Sequence, residues 1–164
     1  LLLAGAGEAR AAPQELTLTP SAGYAVARVR GDALHGAAAS LELGYGLTDS
    51  IGLLGALRYE GLAQDGPLGP EPFSRAGAAV GVSYVFDVLQ VVPWGSITVG
   101  ALALGGGSIA WRWRAEARLA VGLDWLVRRS FSAGLEVGFS LVAPDFRLFP
   151  WALTATLRFS YRKP

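Results

Sequence analysis

Between Ile109 and Trp125 every second residue is apolar: Ile109, Trp111, Trp113, Ala115, Ala117, Leu119, Val121, Leu123 and Trp125. The positions between them include Arg112, Arg114, Glu116, Arg118 and Asp124. A period of two marks a β-strand with one apolar and one charged face, whereas a helix would space its apolar residues near 3.6. Trp111 and Trp113 lie at one end of the apolar face and Trp125 at the other, with only aliphatic residues between them. That is the distribution expected of a strand crossing a bilayer between two interfacial aromatic belts.

Composition supports a membrane setting. The 164 residues amount to one domain, 52% hydrophobic and 16% charged. No run approaches the roughly 18 consecutive apolar residues that a spanning helix requires. Because the apolar residues alternate, their face must meet lipid or a second sheet. The formal charge of +1 argues against a nucleic-acid partner. Cysteine is absent, which removes disulfides and thiol chemistry and is compatible with an oxidising envelope compartment. The chain has no methionine, and residues 1–15 are expected to be either the remnant of a signal peptide, with Ala9-Arg10-Ala11 as a small-x-small cleavage site, or a disordered Ala-rich tail.

The same period predicts eight strands, at 16–26, 37–47, 51–61, 75–86, 91–104, 111–125, 131–141 and 151–161, so residues 16–161 form one barrel domain. Both faces of the fifth are apolar or small, and Ile97, Val99 and Ala101 are taken as outward there. Connections after the second, fourth and sixth strands are short, at 48–50, 87–90 and 127–130. Three of the others, at 29–36, 62–74 and 142–150, are longer, with 105–108 a short exception. Short turns at one end and long loops at the other is the arrangement of outer-membrane barrels, with turns and both termini in the periplasm.

The aromatic residues sort into two levels along these strands. Tyr45, Tyr84, Phe86, Trp94, Trp125, Phe131, Phe159 and Tyr161 fall at the turn end, and Tyr24, Tyr59, Trp111, Trp113, Phe139 and Trp151 at the loop end. A soluble sandwich or lipocalin-like barrel would show the opposite polarity, apolar within and polar without. The expected fold is therefore an all-β, eight-stranded antiparallel up-and-down transmembrane barrel.

Three segments carry a family resemblance: the turn Tyr45-Gly46-Leu47-Thr48-Asp49-Ser50, the run Tyr84-Val85-Phe86-Asp87-Val88-Leu89 followed by Val92-Pro93-Trp94, and the alternating Leu157, Phe159 and Tyr161 of the last strand. In their order and spacing the chain resembles the small outer-membrane β-barrels of the OmpA type. The resemblance implies an integral protein of a bacterial outer membrane, a bilayer as its main partner, and the barrel-insertion machinery as a partner during assembly. Arg162-Lys163-Pro164 depart from the family's pattern by following the last aromatic.

Charged residues within the strands must point inward, since an arginine facing lipid at mid-membrane costs about 2 to 4 kcal/mol. The inward set holds Glu42, Glu60, Asp87, Glu116, Asp124 and Glu136 against Arg58, Arg75, Arg112, Arg114, Arg118 and Arg158. An eight-stranded lumen is just wide enough for side chains to fill, and unpaired charges there would be costly, so a paired network is expected. Its focal members are Glu42, Arg58, Arg114, Glu116, Arg118, Glu136 and Arg158. Glu136 is placed between Arg118 and Arg158, and Glu42 opposite Arg118 or Arg114. Small residues at 23, 77, 81, 83, 98 and 100 face these long arginines. Two readings stay open: a packed polar core, or a narrow charge-gated path for water, ions or small solutes.

Enzyme chemistry finds little support. The single histidine, His35, falls in the first outer loop with no acyl-transfer partners. Glu42, Glu116 and Glu136 have arginine neighbours in a lumen too tight for a sugar. With no cysteine and one histidine there is no metal ligand set, and Gly105-Gly106-Gly107 lacks the following helix of a phosphate-binding loop. No catalytic residue, metal or cofactor is expected. The expected role is structural or surface-interaction, by a monomer, with a narrow pore as the alternative and a lipid-modifying barrel enzyme as a distant one. Phe73, Phe146 and Phe149 in the outer loops suit lipopolysaccharide or a protein partner. The interfacial aromatics are expected to be Tyr45, Tyr59, Tyr84, Trp94, Trp111, Trp113, Trp125, Trp151, Phe159 and Tyr161.

Overall fold

A β-strand chain can cross hydrocarbon only if no backbone N–H or C=O is left unpaired at a sheet edge, which requires closure. The computed structural model describes residues 15–29, 32–66, 69–86, 91–106, 109–128, 130–143 and 151–163. These contain eight strands: β1 (Leu16–Val29), β2 (Asp32–Gly46), β3 (Ile51–Gly66), β4 (Gly69–Val85), β5 (Val91–Gly106), β6 (Ile109–Arg128), β7 (Phe131–Ala143) and β8 (Trp151–Lys163). Each pairs antiparallel with its neighbour in sequence, and β1 pairs with β8 to close the barrel.

The polarity is inverted relative to a soluble protein. Outward side chains are apolar and exposed, among them Leu57, Val80, Ile97, Val99, Leu119 and Trp113, the last 69% exposed. Inward ones include Arg75, Thr98 and Ser140, none more than 2% exposed. On β5 the structure turns Ile97 and Val99 outward and buries Ser96 and Thr98.

The strands run 13 to 20 residues, longer than the 9 to 11 that crossing requires. The extra length corrects the loop assignment. Residues 32–36 are the start of β2, paired with β1, and the 62–74 region is mostly the end of β3 and start of β4, paired from Leu62↔Phe73 to Gly66↔Gly69. Pro70 and Pro72 suggested a loop, but β5 pairs with β4 only from Ser74 onward. They therefore lie where β4 has a neighbour on one side alone, an edge position that proline tolerates. His35 is likewise on β2 rather than in a loop, stacked on Tyr24 with ring centroids 6.3 Å apart.

The lumen is layered. At the loop end Ala25, Ala27, Leu34, Ala38, Leu62, Phe73 and Ala152 form a buried apolar cluster, with Leu104 packed against it. Phe73, expected as an exposed loop aromatic, is thus inside the barrel and 6% exposed. It shares the inward parity of Arg75 two residues later. Phe146 and Phe149 lie outside the described residues.

Leu119 is half-exposed toward lipid and Ala120 is buried in the lumen. Leu119→Arg is expected to destabilise the barrel by about 2 to 4 kcal/mol, the cost of an arginine facing lipid at mid-membrane; Leu119→Ala should cost less, being free of charge desolvation. Reversible urea unfolding in lipid vesicles measures both, and equal losses would show that Leu119 does not face hydrocarbon.

Candidate functional site

The inward faces of the strands carry the chain's chemistry, and each charged side chain reaches its partner across the barrel or between neighbouring strands. Toward the loop end Arg75 on β4 donates from Nη1 to Glu60 Oε2 at 2.8 Å, and from Nη2 to Glu116 Oε1 at 3.3 Å and Ser140 Oγ at 3.2 Å. Arg58 on β3 donates to Thr98 Oγ1 at 3.0 Å and lies 3.7 Å from Glu116. Toward the turn end Arg118 on β6 donates to Glu136 Oε1 at 2.6 Å and Thr154 Oγ1 at 2.8 Å.

Arg158 on β8 is surrounded differently. Glu136, Asp124 and Glu42 stand at 3.5, 3.4 and 3.9 Å, yet its Nε and Nη1 make no hydrogen bond. Its guanidinium lies 3.9 Å from the centroid of the Trp94 ring, a cation–π contact. The Trp94 indole N–H donates to Asp124 Oδ1 at 3.2 Å. Beneath this group a cavity of about 100 Å³ opens at the turn end, lined by Thr17, Thr19, Glu42, Trp94, Asp124, Arg158 and Ser160 among others. Its size and the polar groups on one part of its wall suit several water molecules.

Room for these side chains comes from glycines on the inner faces of β6 and β7. A Cβ at Gly138 would collide with the Arg118 guanidinium, and one at Gly122 would meet Trp94 Cζ2 at 2.5 Å. At Gly122 the Leu135 carbonyl is equally close, so a larger residue there would force the backbone to shift, whereas at Gly138 it would displace the Arg118 side chain.

The structure brings Glu42, Arg58, Glu116, Arg118, Glu136 and Arg158 together in the lumen. Glu136 lies between Arg118 and Arg158. Glu42, however, pairs with Arg158 rather than with Arg118 or Arg114, because β1 between their strands offers only the short Thr19 and Ser21 at Thr19↔Glu42 and Ser21↔Arg158. Among the described residues Arg114 is outside the network and donates to the Trp113 carbonyl at 3.1 Å, one residue beyond the described β6–β7 pair Ala115↔Ala143. Arg112 is exposed near the same end of β6, and Asp87 lies outside the described residues. The expected balance of six and six is thereby corrected to Glu42, Glu60, Glu116, Asp124 and Glu136 against Arg75, Arg118 and Arg158 among the described buried residues, with the partly buried Arg58 beside them.

Trp94 is also corrected. Assigned to the interfacial belt, it is 6% exposed and points into the lumen. Its even number on β5, opposite in parity to Ile97 and Val99, was the available signal. Trp111, Trp113, Trp125, Tyr45, Tyr59, Tyr84, Phe159 and Tyr161 face outward and are exposed, with Trp151 intermediate.

Glu136→Ala would leave Arg118 without its 2.6 Å partner and Arg158 with one carboxylate fewer. Breaking a buried pair from one side costs about 3 to 5 kcal/mol, because the remaining charge is uncompensated. Urea unfolding is expected to show that loss, with a smaller one for Glu136→Gln, which retains hydrogen-bonding capacity. Unchanged stability in the Ala variant would place Glu136 outside any charge-paired lumen.

No family model matches the chain, and no curated protein matches it. Solved structures do. Neisserial surface protein A superposes with a TM-score of 0.74 at 14% identity, over 89% of this chain and 96% of that one. Ail, the attachment invasion locus protein of Yersinia pestis, solved with the heparin analogue sucrose octasulfate, gives 0.63 at 14% identity, over 93% and 100%. The outer membrane protein OprG of Pseudomonas aeruginosa gives 0.56 at 10% identity, over 94% and 97%. At these identities the likeness is one of fold: this chain has the fold of the small eight-stranded outer-membrane barrels.

Proposed function

We propose that this protein is a monomeric, integral barrel of a bacterial outer membrane, with a closed lumen and a structural or surface-interaction role, and that it is not an enzyme. The observation that carries the proposal is the apolar cluster around Phe73, Leu62 and Leu34, which fills the loop end above a buried ion network. A water path entering at the turn end stops there, since an apolar constriction dewets.

The exposed apolar band and the aromatic levels support the bilayer as its main partner. In the proposed orientation the termini and the 47–50 turn face the periplasm, and the paired extensions of β3 and β4 project outward. Lipopolysaccharide suits the outer rim, where Arg112 and Arg114 alternate with exposed Trp111 and Trp113: guanidinium groups pair with phosphates and indole rings rest at the headgroup level.

Planar-bilayer recording on the refolded protein tests the closed lumen. Wild type is expected to show no sustained conductance, and Phe73→Ala, which opens the apolar cluster, to show brief openings. Steady ohmic conductance in wild type would overturn the closed lumen and favour the narrow-pore alternative.

A further inference from the structure

At the turn end β6 carries an irregularity that changes which face one residue occupies. Leu126 pairs with Ser132 inside the lumen, but the next pair is Arg128↔Phe131, with Val127 left unpaired. Two residues of β6 therefore oppose one of β7, the pattern of a β-bulge, which re-aims a side chain. Without it Arg128, an even-numbered residue of β6, would follow Asp124 and Leu126 inward. With it Arg128 is level with Phe131, on the outward face, and is exposed.

Phe131 in turn pairs with Tyr161 on β8, and Lys163, two residues further along β8, shares the outward parity of Phe159 and Tyr161 and is exposed. Neighbouring strands lie about 4.8 Å apart, so β6 and β8 are separated by roughly 10 Å at this level. The Arg128 and Lys163 side chains are long enough to reach a common group placed between them. Beneath them are the stacked Phe131 and Phe159 rings, with centroids 6.3 Å apart, and exposed Trp125. The carboxylates of β6 and β7, Glu116, Asp124 and Glu136, all point into the lumen and are buried. Glu15, close to the end of β8, lines the mouth of the cavity rather than the outer wall.

We infer that this sector of the outer wall is a binding site for one anionic phospholipid of the phosphatidylglycerol type. Arg128 and Lys163 hold its phosphate at the interface while the acyl chains lie along Trp125, Phe131 and Phe159. Charge complementarity selects the ligand: two cations with no carboxylate on the same wall among the described residues favour a headgroup with net negative charge. A zwitterionic headgroup brings an ammonium group that the pair repels.

Native mass spectrometry of the detergent-solubilised full chain, titrated separately with phosphatidylglycerol, phosphatidylcholine and lipopolysaccharide, tests the site and is independent of orientation in a cell. A basic residue near an anionic surface changes affinity about fivefold, so wild type should prefer phosphatidylglycerol to phosphatidylcholine by at least about tenfold. R128Q/K163Q should abolish the preference, whereas R28Q, at the exposed other end of β1, should keep it. Heat-modifiable migration on gels checks that both variants are folded. Equal binding of the two phospholipids by wild type would overturn the site. So would retention of the preference in R128Q/K163Q, equal loss in R28Q, or lipopolysaccharide displacing phosphatidylglycerol from wild type but not from R128Q/K163Q.

Discussion

The pairing of β1 with β8 is the contact on which the rest of this structure depends. An open eight-stranded sheet would expose two rows of unpaired backbone groups to hydrocarbon, at several kcal/mol for each group. The ladder runs from Leu16↔Lys163 to Arg28↔Trp151 and is interrupted after Leu18↔Tyr161. Pro20, which has no N–H to donate, lies in that gap. Thr19 beside it donates its hydroxyl to Ser160 Oγ at 2.9 Å, so a side-chain bond spans β1 and β8 inside the interruption. Closure also creates the lumen, and with it the only place in the bilayer where the chain's arginines and carboxylates can meet.

Buried ion pairs are weak evidence of stability, because desolvation offsets most of their attraction. Their role here is compatibility: a narrow barrel has too little volume to leave such groups hydrated, so each must find a partner across it. Arg118 and Arg75 do so with short bonds. Arg158 does so loosely, among three carboxylates and over an indole ring, at the point where the turn-end cavity reaches the network. Water is the natural partner for its unbonded nitrogens. In the closed lumen proposed here, polar chemistry at one end and an apolar cluster at the other form a blind vestibule.

Much of this was legible in the sequence because lipid imposes a strict period of two. The stretch from Ile109 to Trp125 reveals its strand and its two faces without ambiguity. Where strands leave the hydrocarbon the constraint disappears, and the small, Pro- and Gly-containing ends of β3 and β4 resembled a loop although they pair to Gly66↔Gly69. The aromatic character of Trp94 and Phe73 points to the interface and to a loop, whereas their position, in the parity set by Ile97 and by Arg75, points both inward. Arg114 had the right parity, but which partner an arginine near the end of a strand takes depends on its neighbours in space, which periodicity does not encode. The bulge at Val127 was equally hidden, since it reverses parity without leaving a compositional mark.

Site-directed spin labels placed singly along β6 from Ala115 to Asp124, in protein reconstituted into vesicles, test the inverted, closed barrel most directly. Odd positions should be accessible to oxygen dissolved in the bilayer. Even positions should be shielded from both oxygen and a water-soluble nickel chelate, except near Asp124, where the cavity admits water. Access of the nickel chelate to every even position would contradict a closed lumen, and loss of the alternation would contradict the barrel itself.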